Sequence, residues 1–148
     1  MKKIAIALAF AGATFASAQA QDVDQKDVPQ AVSSALTQQY ANATDLDWEI
    51  DGANYEAEFD MNRVDHTVLI DPSGKILMSK RDIMQKDLPQ AVQSTISQSY
   101  KSMRLDDMEQ VEKDGQTYYQ VELDQKGQDK KLVFSADGKE VTTPAYWD

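Results

Sequence analysis

Apolar residues recur at intervals of three and four in two stretches of this chain. Val28, Ala31, Val32, Ala35, Leu36 and Tyr40 fall on one side of a helix, and Leu88, Ala91, Val92, Thr95, Ile96 and Tyr100 repeat that side sixty positions later. The two stretches open almost identically, as Lys26-Asp27-Val28-Pro29-Gln30-Ala31-Val32 and Lys86-Asp87-Leu88-Pro89-Gln90-Ala91-Val92, so one unit is written twice. Asp27 is placed to cap a first helical turn, Pro29 is tolerated there, and Gln30 lies three residues on. Gln21 to Gln25 reads as a frayed polar lead.

The period then falls to two. Leu46, Trp48 and Ile50 alternate with acids up to the turn Asp51-Gly52, and Tyr55, Ala57 and Phe59 alternate with Glu56 and Glu58. Val64 to Ile70 leads to Pro72-Ser73-Gly74, after which Ile76 to Ser79 makes a fourth strand. The second copy gives Met108 to Lys113, the turn Asp114-Gly115, then Tyr119 to Leu123, Leu132 to Phe134, Asp137-Gly138 and Glu140 to Thr143. One inserted residue makes Tyr119, not Tyr118, the counterpart of Tyr55. Connections this short demand antiparallel neighbours. The predicted fold class is α+β: two tandem repeats, each a helix plus a four-stranded antiparallel meander, with both helices on one face of a shared sheet of up to eight strands. The repeats span about 24–81 and 82–148 of a single domain at 21–148.

Ahead of the repeats, Lys2 and Lys3 precede an apolar run from Ile4 to Phe15 and the small residues Ala16-Ser17-Ala18-Gln19-Ala20. This is the pattern of a secretory signal peptide at residues 1–20. The rival, a membrane anchor, needs roughly 20 apolar residues, and this run is shorter. Ala16-x-Ala18 and Ala18-x-Ala20 both fit the cleavage rule, and the second leaves Gln21 first. The expected product is periplasmic or secreted, with no membrane insertion after cleavage.

Removing Lys2 and Lys3 leaves 13 basic against 25 acidic side chains and moves the formal net charge from −10 to about −12. Nucleic acid and anionic membranes are poor partners for such a chain, whereas cations and basic surfaces are attracted. With no cysteine there is no disulfide, thiolate chemistry or thiolate metal site.

Few residues suggest chemistry. His66, the sole histidine, stands where the second copy has Lys130, which points to an exposed strand position rather than a ligand or base. No nucleophile elbow, phosphate loop or His-Glu-x-x-His pair is present, so the expectation is no enzyme, no catalytic residue and no cofactor. Asp47, Glu49, Asp51 and Glu58 occupy positions 1, 3, 5 and 12 of a calcium-loop pattern, with Gly52 at position 6. Against calcium, the segment around Glu58 alternates as a strand where that loop requires a helix. The sheet face turned away from the helices offers a different site. By alternation it carries Asn54, Glu56, Glu58, Thr67 and Leu69 in the first copy and Tyr118, Gln120, Glu122, Lys131 and Val133 in the second. Of these, Asn54, Glu56, Glu58, Leu69, Tyr118, Gln120, Glu122 and Val133 are the candidate protein-binding residues, the alternative being an ordinary half-solvated sheet, while Tyr146 and Trp147 either anchor a partner or cover a sheet edge.

The doubled (Val/Leu)-Pro-x-Ala-Val helix with its terminal Tyr, the Asp-Gly-x-x-Tyr strand and the closing Gly-Lys hairpin resemble the PepSY-like, beta-lactamase-inhibitor-like family from about Asp24 to Thr143. The resemblance implies a tandem α+β fold in an exported bacterial protein and a noncatalytic module whose relatives bind or inhibit proteins. Beta-lactamase inhibitor proteins of this architecture carry disulfides, and this chain departs from them there. The expected function is a noncatalytic periplasmic protein-binding module, an inhibitor of an envelope enzyme or peptidase, with an unidentified envelope or secreted protein as partner. The alternative is a calcium- or cation-responsive acidic periplasmic protein. Intact-mass measurement of the exported protein should show loss of the first 18 or 20 residues, and recovery of the full-length chain in membranes would overturn the signal-peptide reading.

Overall fold

The computed structural model describes residues 21–148, and the predicted signal peptide lies outside the described residues. Among the described residues, nine strands and two α-helices follow in the order β1 (Gln21–Asp22), α1 (Gln30–Gln39), β2 (Thr44–Asp51), β3 (Asn54–Met61), β4 (Val64–Ile70), β5 (Ile76–Asp82), α2 (Gln90–Ser99), β6 (Arg104–Lys113), β7 (Gln116–Gln125), β8 (Gln128–Ser135) and β9 (Glu140–Val141). Every strand pairs antiparallel with its neighbours in the chain, giving one sheet in the order β1 to β9. No helix among the described residues is long and apolar enough to cross a membrane.

The ninth strand is β1, in the segment expected to fray. Gln21 and Asp22 pair with Ile50 and Glu49, and the Val23 amide donates to the Trp48 carbonyl at 2.9 Å. The same arrangement recurs where β5 overruns its predicted end at Ser79. Arg81 and Asp82 pair with Gln110 and Glu109, and the Ile83 amide donates to Met108 at 3.0 Å. Each repeat therefore begins with a short extended segment lying against its own first long strand, and in the second repeat that segment is the end of β5. This is how the two halves join: β5 pairs with β6 from Met78↔Lys113 to Asp82↔Glu109.

Asp27 does not cap α1. The residue before a proline is pushed into extended backbone, and Val28 adopts φ −73°, ψ 129°. Lys26 and Asp27 thus close a separate 3-10 turn, and the helix begins only beyond Pro29, whose carbonyl accepts from the amides of Val32 and Ser33.

Both helices lie on one face of the sheet. Val28, Val32 and Leu36 pack with Trp48, Ala57, Phe59, Val68 and Ile70. Leu88, Val92 and Ile96 pack with Val121, Leu123, Leu132 and Phe134. The two cores fill the same space differently: the first sets the large Trp48 across from the small Ala57, the second Met108 across from Val121. The hairpins β2–β3 and β6–β7 also differ. The second is two residue pairs longer, and its turn shifts so that Asp114 and Gly115 both take positive φ, whereas in the first turn only Gly52 does. That extension brings Tyr119 opposite Gln110, as Tyr55 lies opposite Ile50.

Leu36 is 2% and Ile96 7% exposed, so Leu36→Ala and Ile96→Ala should each cost about 2 to 5 kcal/mol. Each should shift a single cooperative melting transition, because β5 and β6 tie the halves together. Two separate transitions, each answering to one mutation, would show independent units.

Candidate protein-binding face

Strand register fixes which side chains share the face opposite the helices. Glu58 pairs with Asp47 and Thr67, Glu56 with Glu49 and Leu69, and Asn54 with Asp51. Gln120 pairs with Glu109 and Val133, Glu122 with Asp107 and Lys131, and Tyr118 with Val111 and Ser135. All the candidates from the sequence therefore lie on one surface, and Lys80 joins it through its pairing with Thr67 and Val111.

They are not equally accessible. Glu58 is exposed, Asn54, Leu69, Tyr118 and Glu122 are half-buried, and Glu56, Thr67, Gln120 and Val133 are buried. The cause at the centre is the chain's own C-terminus, which crosses the face instead of covering an edge. The Trp147 indole N–H donates to Glu56 Oε2 at 3.0 Å. Its backbone amide donates to Gln120 Oε1 at 3.2 Å, and its carbonyl accepts from Gln120 Nε2 at 2.8 Å and Lys80 Nζ at 3.2 Å. Lys80 also lies 5.3 Å from the centre of the indole ring and pairs with Glu109 at 2.9 Å, with both side chains nearly buried. Gln120 Nε2 donates its second hydrogen to Glu109. Among the described residues no buried side-chain nitrogen or oxygen lacks a partner. Lys131 lies 5.1 Å from the Tyr146 ring and pairs with Asp148. Burial, reinforced by Glu109, Asp107, Glu122 and Asp148, pushes the Tyr146 hydroxyl pKa well up.

Beside this centre, toward the first repeat, the face is acidic. Asp45, Asp47, Glu58, Asp60, Asp65, Asp82 and Glu109 line an open cleft of about 310 Å³, together with Phe59, His66 and Thr67. A bulge between Thr44 and Asp47 bends β2 there, and Asp45 sits at φ 52°. Crowding is visible in the protonation equilibria. A hydrogen bond with Asp65 raises the Asp60 pKa, burial and then Glu58, Asp22 and Asp47 raise that of Glu49, and burial raises that of Glu56 against the opposing pull of the Trp147 indole. Asp82 is pushed up to about 6 by burial, then by Asp107, Asp65 and Glu109.

The calcium pattern folds as a hairpin. Asp47, Glu49 and Asp51 stand on β2 and Glu58 on the paired β3, where the pattern requires one loop followed by a helix. No group of three or more acids among the described residues converges in a metal-holding arrangement. His66 is half-buried on the helix side rather than exposed. Its ring stacks on Phe59 at 5.4 Å and meets Tyr40 edge-on at 6.2 Å, with Nδ1 2.8 Å from the Val64 carbonyl oxygen. Lys130 takes the corresponding place over Tyr100, 4.7 Å from the ring centre.

Lys80 and Glu109 were missed by sequence reasoning, because their contact depends on the β5–β6 register between the repeats. The available signal was a lone lysine in a strand pattern and the tryptophan at position 147.

With this geometry in place, the comparisons with known proteins add identity. Residues 14–78 and 77–141 each match the family described as "Putative beta-lactamase-inhibitor-like, PepSY-like". Among solved structures, a BLIP-like protein from Bacteroides fragilis NCTC 9343 is 30% identical, with a TM-score of 0.66 over 76% of this chain and 83% of that one. A protein of Bacteroides eggerthii DSM 20697, described as a putative periplasmic protein, is 22% identical with a TM-score of 0.73 over 77% and 86%. A DUF2874 family protein of Bacteroides uniformis ATCC 8492 is 24% identical with a TM-score of 0.71 over 76% and 86%. No curated protein matches the chain.

Asp82 supplies a pH test. Its folded pKa of about 6 lies above its ordinary 3.8, so its stabilising contribution is full below the lower value and is lost as pH rises through the higher. Asp82→Asn should therefore melt above the parent at pH 8, with the difference vanishing near pH 4. A lower melting temperature for the variant at pH 8 would show that the carboxylate is stabilising.

Proposed function

The chain belongs to the PepSY-like, beta-lactamase-inhibitor-like family, and from that premise we propose that it is a noncatalytic, periplasmic or secreted protein-binding module that restrains an envelope or secreted enzyme. The observation that carries this reading is the asymmetry of the sheet. One face is filled by α1 and α2, while the other carries no helix and presents the acidic rim of Asp47, Glu49, Glu58, Asp60 and Asp65. Such a rim favours a partner with a basic surface, speeding encounter and rejecting acidic competitors. The relatives support the inhibitor-like class, and the periplasmic description of one neighbour agrees with export.

Affinity capture from an envelope extract, read by mass spectrometry, should recover a partner whose retention falls as salt rises, since exposed charges are screened within about 10 Å at 0.1 M. Asp47→Lys with Glu58→Lys should cut that capture roughly tenfold or more while leaving the melting temperature within a few degrees. If capture instead survives those changes and is lost with Ser34→Arg and Gln38→Arg on α1, the interface lies on the helices.

A further inference from the structure

The C-terminal segment is held on the open face in an unusual way. Beyond β9 it forms no strand, and its attachment runs through side chains of the sheet. One buried amide, that of Gln120, which is 1% exposed, bonds both the N–H and the C=O of Trp147. Lys80 doubles the bond to that carbonyl, and Glu56 receives the indole N–H. Contacts to backbone groups suit any extended segment, whereas the indole against Glu56 and Lys80, and Tyr146 and Asp148 against Lys131, select side chains. Two contacts within the groove do not involve its occupant: Lys80 pairs with Glu109, and Gln120 donates to Glu109. The groups that the tail occupies, on Glu56, Gln120 and Lys80, would meet water in its place if it left.

We propose that residues 144–148 are a competitor built into the chain: they fill in cis a groove that accepts an extended, tryptophan-bearing segment of a partner protein, and the partner must displace them to dock. This rests on reading the open face as the binding face and adds to it both the partner's anchor and the means of regulation. Tryptophan suits the role, since large aromatic anchors in desolvated pockets carry most of the energy of many interfaces. The acidic rim beside the groove stays accessible while the tail is in place, so first encounter and final docking use different parts of one face.

The test supplies the tail in trans. A synthetic peptide of residues 142–148 is titrated by calorimetry into the full-length mature protein and into a form lacking residues 144–148. The truncated form should bind the peptide. If the tail fills the groove in nine molecules of ten, the full-length protein should bind about tenfold more weakly. Gln120→Ala in the truncated form, or a peptide with alanine in place of Trp147, should abolish the signal. Should the truncated form not fold by circular dichroism, full-length Trp147→Ala takes its place, with peptide binding supporting the proposal and its absence overturning it. No binding by a folded truncated form, or equal binding by both forms, also overturns it. Either failure leaves the inhibitor-like reading standing, because that reading is decided by partner capture under charge reversal at Asp47 and Glu58.

Discussion

Two close approaches of backbone to backbone hold each helix to its half of the sheet. A side-chain carbon at Gly74 would lie 2.6 Å from the Ala31 carbonyl oxygen, and one at Gly138 would lie 2.6 Å from that of Ala91. Nothing larger than hydrogen fits, and both glycines sit at positive φ, where L side chains are strained. The repeated Pro-Gln-Ala-Val at each helix start and the Gly-Lys of each later hairpin are therefore two sides of one contact. Thr95 strengthens the second copy by donating to the Gly138 carbonyl at 2.8 Å. With the first helical turn seated on the hairpin, Val32, Leu36, Val92 and Ile96 are aimed at the sheet.

The opposite face obeys a different constraint. Lys80 and Glu109 are nearly buried, and a buried ion pair is tolerated only when its remaining donors and acceptors are matched. Here Gln120 and the Trp147 carbonyl do the matching. Removing one partner of such a pair typically costs about 3 to 5 kcal/mol, while replacing both by apolar residues is often neutral. The pair is thus weak evidence for stability and better evidence for a face whose arrangement is specified. It also pins the β5–β6 register, the one pairing that joins the two copies of the unit.

How much of this was legible in the sequence follows from the range of each interaction. The helices, most strands and the sharing of one face by Glu56, Glu58, Gln120 and Glu122 depend on local periodicity, and the alternation shows them. Starts and joins were harder. Asp27 reads as a cap because its spacing is right, but Pro29 fixes Val28 as extended and moves the helix start past it. Gln21 and Asp22 read as a loose lead because a two-residue strand has no period, and their order comes from pairing with Glu49 and Ile50. Burial of Glu56 and Gln120 was invisible for a related reason. Alternation says which way a side chain points, and only the path of residues 142–148 says what lies over it.

That path separates charge from shape on the open face. Around Trp147 most charges are paired, Glu109 with Lys80 and Asp148 with Lys131, while Glu56 accepts the neutral indole N–H. Toward β2 and the ends of β3 and β4 they are not. The raised pKa values of Glu49, Asp60 and Asp82 all record unfavourable crowding of negative charge, added to burial or a shared hydrogen bond. A surface that keeps such repulsion gives up stability, and a cation brought into contact with it recovers some of what is given up. The gain is largest for a partner that places its basic groups against Asp47 and Glu58, because the tail there leaves the acids in contact with water. Acidity of this kind selects by sign and approach, whereas the buried amide of Gln120 and the acceptor of Glu56 select by shape and hydrogen bonding.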